Sequence, residues 1–123
     1  MNTESALELL RRGRPLAAAL VPQSRDRLAW VGVYPLDLNK ASAAALIGRL
    51  GGPVVLPGLP VFRLRVIEMD ESLLRSESCI CEDDLQAIAD LLVVGEETLL
   101  NELDRLGVAR DALELPYRVD YPI

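Results

Sequence analysis

Residues 28 to 36 read LAWVGVYPL, and no other stretch limits the fold as firmly. Side chains alternate between the two sides of an extended chain, so Leu28, Trp30 and Tyr34 point one way and Ala29, Val31 and Val33 the other. Apolar residues on both sides predict an interior strand with both faces buried.

The segments around it are shorter or more mixed. Residues 3 to 13, TESALELLRRG, begin at Thr3 as a candidate N-cap and stop at Gly13, with Ala6, Leu9 and Leu10 on one helical face. In RPLAAALVP (14 to 22) the alanines favour helix, but Pro15 and Pro22 leave little room for one, and a strand is the reading adopted. DLNKASAAALIGRLGG (37 to 52) predicts a second helix, with Asp37 and Asn39 as candidate caps, Leu38, Ala41, Ala45 and Leu46 on a helical period, and Gly51 and Gly52 as its stop. After Pro53, Pro57, Gly58 and Pro60 the chain alternates, Phe62, Leu64 and Val66 against Val61, Arg63, Arg65 and Ile67, which predicts a half-exposed strand over 61 to 67.

From Asp70 the pattern reads as helical and acidic. Leu85, Ile88, Ala89 and Leu92 recur at helical spacing within 82 to 92, and Leu99, Leu100, Leu103 and Leu106 within 96 to 106, so a helical hairpin broken at Val94 and Gly95 is expected. The tail LELPYRVDYPI alternates Tyr117, Val119 and Tyr121 against Arg118 and Asp120, as a last strand or an extended arm. The expected whole is a single α+β domain over 1 to 123, a mostly antiparallel sheet with about four helices packed on it.

SESCICEDDLQAIAD (76 to 90) is the one stretch suggestive of metal or redox chemistry. A structural zinc site takes about four nitrogen or sulfur ligands, and the chain has two cysteines and no histidine. Cys79 and Cys81 are one residue apart, where a thioredoxin-like pair has two between, and Glu82, Asp83 and Asp84 oppose thiolate formation. The acids read instead as a helix opening at the positive end of the dipole, and the cysteines as small packing residues. No cofactor and no metal are expected.

Catalytic motifs are also lacking. Without histidine there is no Ser-His-Asp or Cys-His pair, and the glycine loops match neither phosphate-cradling pattern. Lys40, the single lysine, reads as a surface charge, and acids on solvated helices are ordinary. The expectation is a chain that is not an enzyme; a small carboxylate-based enzyme would require a buried acid pair in a cleft.

Charge gives more direction. Residues 1 to 67 hold four acids against nine bases, a balance of +5, whereas residues 68 to 123 hold fifteen acids against four, a balance of −11 within a net −6. An acidic half repels nucleic acid and attracts a basic protein, so no nucleic-acid partner is expected. No apolar run is long enough to span a membrane, and the N-terminus does not read as a secretory signal, so no membrane partner and a cytoplasmic location are expected. The partner-binding candidates are Glu82, Asp83, Asp84, Asp90, Glu96, Glu97 and Glu102, with Asp104 beside them, extended by Tyr117, Asp120 and Tyr121 of the tail.

The leucine-rich stretch DDLQAIADLLVVGEETLLNELDRLGV and the ending LELPYRVDYPI, within a small acidic chain without histidine, resemble immunity proteins of bacterial polymorphic toxin systems, including contact-dependent growth inhibition. The resemblance covers about the last 45 residues and carries no residue assignment, because that group shares no binding motif. It implies a cytosolic inhibitor, a monomer or weak homodimer, that neutralises a cognate toxin domain, often a basic nuclease, by covering its active site or an adjacent surface. The alternative is a type III secretion chaperone, an obligate dimer holding an effector segment, favoured by the opening amphipathic helix and by strand 61 to 67, which would pair across the dimer axis.

Overall fold

A computed structural model describes residues 1–22, 25–50, 58–72 and 86–122. Their order is α1 (Thr3–Arg11), β1 (Leu16–Leu20), β2 (Arg27–Pro35), α2 (Ala41–Leu50), β3 (Val61–Asp70), β4 (Gln86–Val94) and α3 (Glu96–Arg105), then a 3-10 turn over Pro116–Val119. The four strands form one antiparallel sheet in chain order, so the chain is a small α+β domain as expected, with three α-helices described where about four were expected. LAWVGVYPL is the interior strand β2, paired with β1 through Trp30 and Ala19 and with β3 through Trp30 and Ile67.

The sheet is covered on both sides because β2 and β3 are apolar on both sides. On one face Val31, Val33, Leu64, Val66 and Val93 pack with Leu7 and Leu10 of α1 and Leu99 and Leu103 of α3. On the other, Ala17, Trp30, Ile67 and Met69 pack with Tyr121, flanked by Leu28, Tyr34 and Val119. The chain end reaches this second face through a single bridge between Ala17 and Glu114 and the turn that follows.

Three expectations need correction. Residues 86 to 92 are not helical: they belong to β4, which pairs with β3 from Val61↔Val94 to Glu68↔Gln86 across a bulge at Val66/Ile67. An apolar run such as IADLLVV satisfies helical and strand spacing together, and the open edge of β3 decides for the strand, with Val93 and Val94 well suited to it. The hairpin is therefore strand then helix, turning at Gly95, whose φ of 91° is a left-handed value that favours glycine. Strand 61 to 67 is not half-exposed: β3 runs to Asp70, lies between β2 and β4, and buries Val61, Ile67 and Met69 on its second face. Of the two readings of the tail, the arm is the one found, and it carries a 3-10 turn. The cap of α1 is Asn2, whose side chain accepts from the Ser5 N–H at 2.8 Å, one position before the candidate Thr3. The helix opening read at Glu82, Asp83 and Asp84, together with Cys79, Cys81 and the stop at Gly51 and Gly52, lies outside the described residues.

Candidate functional site

Of the eight acids between residues 86 and 122, four are tied to arginines. Asp90, on the second face of β4, accepts two hydrogen bonds from Arg63 on β3, at 2.8 and 2.5 Å. That fork holds the Asp90 carboxyl below the usual carboxylate range against the opposing effect of its partial burial, and raises Arg63 in turn. Glu96, in the first turn of α3, accepts two bonds of 2.8 Å from Arg11 at the end of α1 and so clips the two helices together. Glu102 takes Arg105 of its own helix at 2.8 Å, and Asp104 takes Arg110 at 2.8 Å.

The eight acids between residues 86 and 122 thus include five with a cationic partner, Glu114 with the Met1 ammonium being the fifth. Glu97, Asp111 and Asp120 have no ion pair among the described residues and are exposed. Among the described residues Glu97, exposed in the first turn of α3, is the clearest unpaired member of the acidic set. Glu82, Asp83 and Asp84 lie outside the described residues.

The tail candidates separate. Tyr117 is 69 % exposed, with the Arg118 guanidinium 5.9 Å above its ring, and Asp120 is exposed in a left-handed conformation with φ of 56°. Tyr121 is 8 % exposed: its hydroxyl accepts from Tyr34 at 2.7 Å, and burial pushes its phenol pKa well up. A tyrosine committed in this way stabilises the domain and offers little surface to a partner.

Among the described residues no group of three or more Cys, Asp or Glu side chains could hold a metal ion, and no helix is long and apolar enough to cross a membrane. Glu68 is the buried charged side chain of the described core, and its carboxylate lies 3.3 Å from Arg27 Nε. No two carboxylates share a buried position among the described residues.

A groove of about 930 Å³ among the described residues was missed by sequence reasoning. Its walls are the exit of α1 (10 to 13), the β2–α2 connection, one face of α2 and the start of β3 (60 to 63). Those four segments are far apart in sequence, so no local motif announces the groove. The available signal was the apolar face of α2, a helix too rich in Ala and Leu to be left in water, of which only Ala43 is fully buried.

Comparisons with protein-family models, with curated proteins and with solved structures find no match to this chain.

Proposed function

We propose that the chain is a non-catalytic protein-binding inhibitor of the immunity type, which captures a cognate, basic, nuclease-type toxin domain in the cytoplasm and covers its active site or an adjacent surface. The observation that carries the reading is the charge imbalance, −11 over residues 68 to 123. Local pairing does not remove it: Glu97, Asp111 and Asp120 stay unpaired among the described residues. A nuclease must present positive charge to its substrate, and an acidic surface meets such a face by steered, fast association. The absence of histidine from the whole sequence points the same way, since it removes the commonest general base.

Of the two features behind the chaperone alternative, the opening helix remains and the strand does not support it, because both edges of β3 are already hydrogen-bonded within the sheet. The test is co-expression with the product of the reading frame immediately upstream, followed by size exclusion with light scattering. A one-to-one complex is expected, and in E97K its association rate at low salt should fall roughly three- to tenfold. A chain that ignores that product and runs alone as an obligate dimer would overturn the proposal.

A further inference from the structure

The groove and the acidic half point to different chemistry. Five cationic side chains line the groove against the single acid Asp37, whose carboxylate accepts from the Asn39 N–H at 3.1 Å. Arg11, Arg12 and Arg63 are held by Glu96, Glu8 and Asp90. Lys40 and Arg49 are the two with no ion pair among the described residues, and both belong to α2 and its approach.

The Lys40 carbonyl accepts from the Ala43 N–H at 3.1 Å, so Lys40 stands at the start of the helix whose other end carries Arg49. Nine residues of helix separate the two by about 13 Å. Between them Ser42, Ala45 and Leu46 turn the same face to the groove, a small-residue surface with one larger apolar side chain. Pro35, Leu36, Pro60 and Phe62 complete the apolar lining.

From these features we infer that the groove is a docking site for an extended acidic peptide segment of a partner protein, with carboxylates placed on Lys40 and Arg49 and aliphatic side chains between them. An extended chain advances about 3.3 Å per residue, so about four residues span the distance between the cations. The motif required is an acid, an aliphatic-rich spacer and a second acid four positions on. The elongated wall, cationic at both ends and apolar between, suits such a peptide better than a compact anion, which would use one end and leave the aliphatic surface wet. The inference shares with the proposed function only the premise that the chain binds protein; it does not depend on the toxin or on the acidic face.

The experiment uses the full chain alone, immobilised, with a phage-displayed library of random dodecapeptides, and K40E/R49E as the counter-selected protein. Its fold is checked by far-UV circular dichroism. Selection should enrich acids four positions apart with Leu, Ile or Val between them. Synthetic versions of the enriched peptides should bind at least tenfold more weakly to K40E/R49E and severalfold more weakly as salt is raised. The inference is overturned if no peptide family emerges, if the enriched peptides lack the acidic pair, or if their affinity is unchanged in K40E/R49E. It is equally overturned if a fluorescein-labelled oligo-dT binds through Lys40 and Arg49 while peptides do not. A failed toxin co-expression with a successful selection would remove the proposed function and leave the groove.

Discussion

Gly32 lies in the middle of β2 at a position where any side chain would collide with its own fold. A Cβ placed there would meet the Tyr121 hydroxyl, with the Tyr121 ring at 2.8 Å and Tyr34 at 2.9 Å. The glycine is therefore a matter of space, and it is what allows the two tyrosine rings, 6.4 Å apart at 56°, to lie against the sheet. Gly32→Ala should destabilise the domain by about 1–3 kcal/mol, the usual cost of overpacking. In a Tyr121→Ala background the Tyr121 contacts are gone and Tyr34 at 2.9 Å remains, free to move into the space left by Tyr121, so the same change should cost clearly less than in the parent. Urea unfolding of the four proteins checks this, and a Gly32→Ala protein as stable as the parent would refute the contact. None of this was legible in LELPYRVDYPI, where alternation put Tyr117 and Tyr121 on one side. The 3-10 turn between them rotates the chain, leaving Tyr117 in solvent and Tyr121 in the core.

At the scale of elements, what the sequence disclosed depended on how completely each segment's pattern excluded the alternative. β2, α1 and α3 were legible because two-sided alternation or a clean amphipathic stripe admits one structure only. β4 was not, since its apolar residues fit both periods and its strand form depends on β3, a neighbour in space. Arg63 and Asp90 secure that pairing diagonally across the second face, for Arg63 stands opposite Leu92 and Arg65 opposite Asp90. Removing one partner of a half-buried fork costs more than removing a solvated pair, so Asp90→Asn should lose about 1–2 kcal/mol near neutrality. The sign with pH follows from the depressed Asp90 value. The unfolded chain takes up the proton first, so the contribution is present above about pH 4 and is lost as pH falls through the lower folded value. Stability of parent and variant measured from pH 7 downward should converge in acid, and a constant gap would show that the fork's charge is not its source. The groove was equally hidden: Lys40 reads from sequence as a lone surface charge, and it gains meaning only when α2 places it along one wall with Arg49.

At the scale of the molecule, two cores share one sheet, and β2 and β3 supply side chains to both. Both clusters are built on the same strands, so loss of the sheet removes both, and the intact domain should unfold as one cooperative unit despite its two separate apolar clusters. The second cluster is the thinner one and is closed by the C-terminal arm. Trp30 Nε1 donates to the Val119 carbonyl at 2.6 Å, and Tyr121 closes over Gly32. Trp30 is the only tryptophan and is 3 % exposed, so its emission reports on the second core, whereas far-UV circular dichroism reports on every element. In the intact chain the two transitions should coincide and the native emission should be that of a buried indole. Deleting residues 116–123 removes Val119 and Tyr121, so the native emission should shift to the red and stability should fall by about 2–4 kcal/mol, the scale of losing a buried aromatic. The opposite face, with α1 and α3 on it, makes no use of the arm and should keep the helical signal of the shortened chain. If the emission and stability are unchanged by the deletion, the arm is not what closes the second core; if the two probes separate in the intact chain, the two cores are not bound into one unit by their common strands.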